Sequence, residues 1–325
     1  MSFFSRLQLW VLSAVWYSLS VLPLWLLYFM SDILALLLAY VIRYRHKVIE
    51  RNLAKSFPEK SEAERRKLQW QFYRFFCNMW AENFKFATIS KKRIMQRMEF
   101  VGMDAIIERV KRGQGLAILL GHYGNWEWVA SMALWAEELR EGNSFGQVYH
   151  PLKNKAMNSL MLRIRGRMGS ARIPMKETLR WIINRQREGH PPCVGYASDQ
   201  APKWENIHLW VNFLNQETPV FTGVERIARK QHQFVVYVDI QPLRRGYYRN
   251  TVHILSEDAS KEEPGDIMRR FFQCLEATIR RAPQYWLWSH NRWKRTREEF
   301  DRRFQVINGR VVPRKEAPDG DSAAQ

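Results

Sequence analysis

The chain has 325 residues, 46% of them hydrophobic and 14% aromatic, enough for one large α/β domain with additions or for two smaller domains. Lys and Arg number 51 against 32 Asp and Glu, and the resulting formal charge of +19 is a self-repulsion that calls for an anionic partner: nucleic acid, anionic lipid or an acidic protein. Cys77, Cys193 and Cys274 lie far apart with no CxxC spacing, which leaves no basis for a disulfide framework or a cysteine zinc site.

From Leu7 to Ser31 there is no charged residue, and the apolar character resumes after Asp32 as far as Ile42. That is long enough to span a bilayer, which takes roughly 20 predominantly apolar residues. Pro23 and the Ser31–Asp32 pair divide it. It is therefore either one tilted span or two shorter helices lying partly in the interface; a buried core hairpin is the plainer alternative. Trp10, Trp16, Tyr17, Trp25, Tyr28 and Tyr40 suit a membrane–water boundary. A lone Arg6 ahead of the stretch and the absence of a small-x-small cleavage site argue against a cleaved signal peptide. The following "RYRHKVIERNLAK" carries Arg43, Arg45, Lys47, Arg51 and Lys55 against Glu50. A basic flank places its side in the cytoplasm, and each such residue adds about 1 kcal/mol of attraction to anionic headgroups. Residues 1–45 thus read as a membrane anchor and 46–304 as the cytoplasmic body.

Ser61 three residues before Glu64 is a capping-box pattern, and Leu68, Phe72, Phe75, Phe76 and Met79 continue it at helical spacing. Beyond residue 100 the pattern changes. Apolar runs at 116–120, 145–149, 192–197, 234–240 and 248–255 read as strands. Helical patterns near 125–139, 154–168, 176–188, 221–230 and 265–281 lie between and after them. The fold class expected is α/β, a largely parallel sheet flanked by helices, with the apolar helical anchor at the N-terminus. Residues 305–325, polar and ending "APDGDSAAQ", read as a disordered tail.

The chemistry gathers at "GHYGNWEW", 121–128. The strand "LAILL" ends at Gly121, so His122 emerges at its C-terminal edge, where open α/β sheets place their ligands. Gly124 and Asn125 turn the chain, which sets Glu127 in the first turn of the next helix, where the helix dipole favours its charge. From there Glu127 can fold back to accept one ring N–H of His122, leaving the other nitrogen free as a base. Such a base is worth typically ~10²–10⁴ in rate. A histidine making only a structural hydrogen bond fits the spacing equally well. Asp199 ends the apolar run "CVGYA" and projects from the same edge, near His122 if the strands are parallel, either as part of the site or as a turn residue before Gln200 and Pro202. Lys153 and Asn154 open a helix beside it, as a phosphate site or as a plain capped start. Tyr285, Trp286, Trp288 and Trp293, set among Arg292, Lys294 and Arg295, read as core packing or an interfacial belt rather than a stacking surface for bases, and His290 as structural.

Taken together, "VIERNLAKSFPE" (48–59), "GHYGNWE", "VYHPLKN" (148–154), "RGRMGS" (165–170), "GYASDQ" (195–200) and "APQYWLWSHNRWK" (282–294) resemble the bacterial late acyltransferases of lipid A biosynthesis, within the lysophospholipid-acyltransferase-like group. The resemblance runs over roughly residues 5 to 300. It implies His122 as base with Glu127 as its acidic partner, and an acyl carrier protein thioester as donor. It also implies a membrane-embedded glucosamine lipid as acceptor, an arginine near the reacting carbonyl, for which Arg167 is the candidate, and no metal or cofactor. Tyr149, Lys153, Asn154, Asp199 and Gln200 become candidates for the oxyanion or substrate contacts. The setting implied is the bacterial inner membrane, with the catalytic body on the cytoplasmic side and no nucleic acid as partner. His150 departs from the family pattern, standing where Arg follows the tyrosine. No "EGTR" stretch follows, and Gly121 rather than Asn precedes the histidine, both unlike the glycerol-phosphate branch. The rivals are the same chemistry on another lipid acceptor, and a non-catalytic, membrane-tethered nucleic-acid or anionic-lipid binder; the binder leaves the strand-edge His122 and Glu127 without a task.

Overall fold

The computed structural model describes residues 3–307 and 309–314. Its N-terminal third is helical: α1 (Phe3–Val21), α2 (Leu24–Leu36) prolonged by a π-helical turn over Leu37–Val41, α3 (His46–Ser56), α4 (Glu62–Phe86) and the short α5 (Lys91–Met95). Helix α4 starts as the sequence predicts. The Ser61 hydroxyl accepts the Glu64 N–H and the Glu64 carboxylate accepts the Ser61 N–H at 2.7 Å, so two otherwise free donors are satisfied. Among the described residues one segment, Leu24–Val41, is long and apolar enough to cross a membrane.

The body then alternates: β1 (Met98–Val101), α6 (Met103–Lys111), β2 (Leu116–Leu120), a 3₁₀ helix over Trp126–Leu134, α7 (Glu137–Arg140), β3 (Phe145–Tyr149), α8 (Lys155–Arg165), β4 (Ala171–Pro174), α9 (Thr178–Arg187) and β5 (Cys193–Ala197). After them come β6 (Leu209–Phe213), β7 (Gln216–Val220), α10 (Gly223–Lys230), β8 (Phe234–Arg244), β9 (Tyr247–Ser256), α11 (Asp266–Arg281) and α12 (Arg297–Arg303). The main sheet has the order β1-β9-β8-β2-β5-β3-β4. Five strands from β8 to β4 are mutually parallel, while β9 turns back antiparallel on β8 and carries β1 with it. The expected α/β class with a largely parallel sheet is what forms.

The central strands show why. All five residues of β2 are buried, as are the first seven of β8, because helices cover both faces of the sheet and each strand must be apolar throughout. Sequence patterning passes over β1, β4 and the antiparallel hairpin β6–β7, four- and five-residue strands of mixed composition. It also misses a second hairpin, β10 (Phe304–Ile307) with β11 (Arg310–Pro313), which occupies the start of the stretch read as a tail; Phe304 stacks on Trp204 and Phe300 there. The remainder of that expected tail, 315–325, lies outside the described residues.

Candidate active site

The register of two neighbouring strands builds the site. Leu120 of β2 pairs with Ala197 of β5 in a parallel ladder, so the residues two further on, His122 and Asp199, leave the sheet edge side by side. The His122 Nδ1 lies 2.5 Å from Asp199 Oδ1. The other carboxylate oxygen accepts the His122 backbone N–H at 2.9 Å and the Trp286 indole N–H at 2.7 Å. Asp199 is only 2% exposed and His122 16%, so the pair is shielded while the imidazole keeps an open side.

Glycines allow this approach. A Cβ on Gly121 would lie 2.5 Å from a Leu275 methyl of α11 and 3.5 Å from Asp199 Oδ2. Gly124 adopts φ +56°, a left-handed conformation that costs L-residues energy, and a Cβ there would meet the Ile240 side chain at 2.7 Å. The turn is held from outside by an extended strap. Tyr123 bridges Trp286, the Leu287 N–H donates to the His122 carbonyl at 3.1 Å, and the Gly124 N–H donates to the Tyr285 carbonyl at 3.0 Å. Trp286 and Trp288 are fully packed, so of the two readings offered by the sequence they are core.

Charge and burial compete at the pair. Burial disfavours the imidazolium, but the Asp199 carboxylate on Nδ1 outweighs it and holds His122 above its ordinary range, with Glu127 adding in the same direction. For Asp199 burial pushes up, yet His122 together with the Trp286 and backbone donors brings its carboxyl down to about 2. In the neutral ring the Nδ1 proton is committed to the carboxylate and Nε2 is the acceptor. The Gln200 amide nitrogen lies 3.1 Å from that Nε2, placed to donate to it. The Trp126 ring packs edge-on against the imidazole, 5.1 Å between centroids.

Glu127 is placed differently from expectation. It sits in the first turn after Asn125, as the sequence predicts, but both its oxygens are taken by Arg165 at the end of α8, through Nε at 2.7 Å and through Nη2. The carboxylate that fixes the histidine tautomer is Asp199. A parallel ladder brings the two edge residues into contact directly, whereas the Glu127 carboxylate is engaged by Arg165 and acts on the ring through its charge alone. Arg167 is exposed and donates to the Phe86 carbonyl at 2.7 Å; the arginine engaged with the site's second carboxylate is Arg165, two residues earlier. No sequence signal separates Arg165 from Arg163 and Arg167 on the same basic helix end.

The remaining candidates fall at the same edge or just beyond it. Tyr149 is the last residue of β3, half-buried. Asn154 caps α8, its side chain accepting the Met157 N–H at 2.9 Å, and Lys153 precedes it in exposed chain. His290 accepts the Ala201 N–H at 3.3 Å, a structural contact, and burial lowers its imidazole to about 4. A buried hub lies behind the turn. Glu82 of α4, 1% exposed, accepts from Asn125 Nδ2 at 2.7 Å, the Tyr248 hydroxyl at 2.7 Å and the Tyr28 hydroxyl at 2.9 Å. Burial raises its pKa in spite of the three donors.

A strand-edge imidazole oriented by a buried aspartate, its second nitrogen met only by an amide, is the equipment of a general base acting on a hydroxyl or similar weak acid. The chain is similar over 290 residues, 86% of its length and 90% of the relative's, to a lipid A biosynthesis palmitoleoyltransferase of Escherichia coli, at 21% identity. A lipid A biosynthesis acyltransferase of Haemophilus influenzae matches 238 residues at 19% identity, 73% of this chain and 72% of the relative. The model of the bacterial lipid A biosynthesis acyltransferase family matches residues 2–295, nearly the whole chain and a span that contains the site just described, and the protein belongs to that family.

Proposed function

We infer that the protein transfers a fatty acyl chain from an acyl carrier protein thioester to a hydroxyl of a lipid A precursor at the cytoplasmic face of the bacterial inner membrane. The observation that carries this reading is the His122–Asp199 pair at the sheet edge, whose Nε2 has only the Gln200 amide against it. The acceptor hydroxyl takes the place marked by the Gln200 amide nitrogen and gives its proton to Nε2. Its oxygen bonds to the thioester carbonyl carbon, and the charge of the tetrahedral intermediate falls on the former carbonyl oxygen. Arg165, held by Glu127, supports the role that the sequence gave to Arg167. The intermediate collapses by breaking the carbon–sulfur bond, and the imidazolium returns its proton to the carrier thiolate. Asp199 stabilises the imidazolium between those two steps. Residues 1–45 serve as the membrane anchor of this enzyme and 46–304 as its catalytic body.

The test is thiol release from an acyl carrier protein thioester in the presence of a lipid A precursor. His122→Ala is expected to remove release to background, and unchanged release in a folded variant ends the assignment. Lipid mass spectrometry of cells lacking the protein separates the acceptors. Loss of one acyl chain from lipid A supports the reading, and loss from an aminoacyl lipid or glycerophospholipid reassigns the acceptor while keeping the chemistry.

A further inference from the structure

Helix α2 is not a free apolar rod. It runs antiparallel along α4, with polar ties over its middle turns. Tyr28 donates to Glu82, the Ser31 hydroxyl donates to Asn78 at 2.7 Å, Asp32 faces Arg74 at 3.8 Å, and beyond its end Tyr40 packs on Trp70 at 5.5 Å between ring centroids. The turn between β8 and β9 closes over the middle of the helix: Arg245 binds both oxygens of Asp32, at 2.9 and 3.0 Å, and donates to the Tyr28 carbonyl at 3.0 Å. At the α1–α2 break the Lys85 ammonium donates to the Ser20 and Leu22 carbonyls at 2.9 and 2.8 Å, satisfying the free end of α1. Helix α1 in turn packs on α4 and α8. Were Leu24–Val41 to cross a bilayer in this arrangement, Arg74, Asn78, Glu82, Lys85 and Arg245 would enter the hydrocarbon with it, each at a cost that membrane interiors rarely tolerate.

The opposite face says what does cover the hairpin. Trp10 and Trp25 are each 70% exposed, and Phe29, Ile33, Tyr40 and Val41 are exposed with them, a concentration of large apolar side chains that marks an interaction surface. Arg43, Arg45 and Lys47 follow at once, all exposed, at the height where anionic headgroups would lie.

We propose that the α1–α2 hairpin lies in the plane of one leaflet, its Trp10–Trp25–Phe29 face in the acyl region and its inner face on α4, so that the protein docks on the membrane from one side without crossing it. The proposal rests on the reading of the chain as acting on a membrane lipid. The buried Glu82 of α4 ties the hairpin to the site, accepting from Tyr28 of the hairpin and from Asn125 of the turn that follows His122. The in-plane position is that of a monotopic amphipathic anchor.

Side-specific thiol labelling of the full chain in sealed vesicles tests it. Arg6→Cys reports the start of α1 and Lys47→Cys the start of the body, with the unsubstituted protein as background. An impermeant maleimide is expected to label both from the same face, permeabilisation adding nothing. Labelling of Lys47→Cys alone until the vesicles are opened would overturn the proposal, as would failure of the protein to sediment with vesicles containing anionic lipid. The two readings fail separately: thiol release that persists with opposite-face labelling keeps the enzyme and rejects the in-plane hairpin, whereas same-face labelling without thiol release does the reverse.

Discussion

Asp199 gathers three donors on two oxygens while burial works against its charge, and its carboxyl still falls to about 2. Two pH dependences follow, with opposite signs. A depressed carboxylate contributes stability above its unfolded pKa of about 3.9, lost as pH falls through the folded value. A raised histidine contributes stability below its unfolded pKa of about 6.5, lost as pH rises through the folded value. Both describe one ion pair, which is therefore at full strength between those limits, where His122 is protonated and could not act as the proposed base. The acid limb of kcat/KM is expected to have its midpoint above about 6.5. Asp199→Asn should move that midpoint down and, by analogy with the His–Asp pair of serine proteases, lower kcat by up to roughly 10⁴. Glu127→Gln should move it in the same direction by less, because Glu127 acts on the ring without bonding to it. A larger shift from Glu127→Gln would restore Glu127 as the imidazole's partner.

Between element and site, the turn after β2 decides the geometry. Asn125 caps the 3₁₀ helix by accepting the Trp128 N–H at 3.2 Å and donates to the buried Glu82. Asn125→Ala removes the cap, worth ~1 kcal/mol, and takes a donor from a buried carboxylate, worth roughly 1–3 kcal/mol. Urea unfolding in detergent should show about 2–4 kcal/mol of lost stability, the sum of those terms, and a change under about 0.5 kcal/mol would mean the hub is not intact in solution. What the sequence made legible here was the strand: "LAILL" is apolar throughout and ends in Gly121, so His122 and Asp199 could be set at one edge before any coordinates. What it concealed was reach. The Trp126–Leu134 turn forms a 3₁₀ rather than the expected α-helix, nearly every residue of it buried, and Arg165 crosses from another helix to meet Glu127. Contacts between elements far apart in the chain leave no periodicity to read.

At the scale of the molecule, the proposed function gives the +19 charge and the apolar hairpin two different partners. Composition exposed the imbalance and the apolar stretch, but only packing shows that α2 is tied to α4 and Arg245, because polar ties along a hydrophobic helix look in sequence like interruptions of a span. The excess charge would draw in an acidic carrier and raise its encounter rate, an effect carried by long-range fields and screened over about 8–10 Å at ordinary salt. Thiol release should therefore respond to salt according to the donor. With acyl carrier protein, kcat/KM is expected to fall about tenfold or more as salt rises from roughly 50 to 300 mM. With an acyl pantetheine, which presents the same thioester without the acidic protein, the fall should be slight. Both donors are compared in neutral detergent micelles, so that loosening of the protein from anionic lipid does not enter. Equal salt dependence for the two donors would show that the charge is spent on the membrane and not on the carrier.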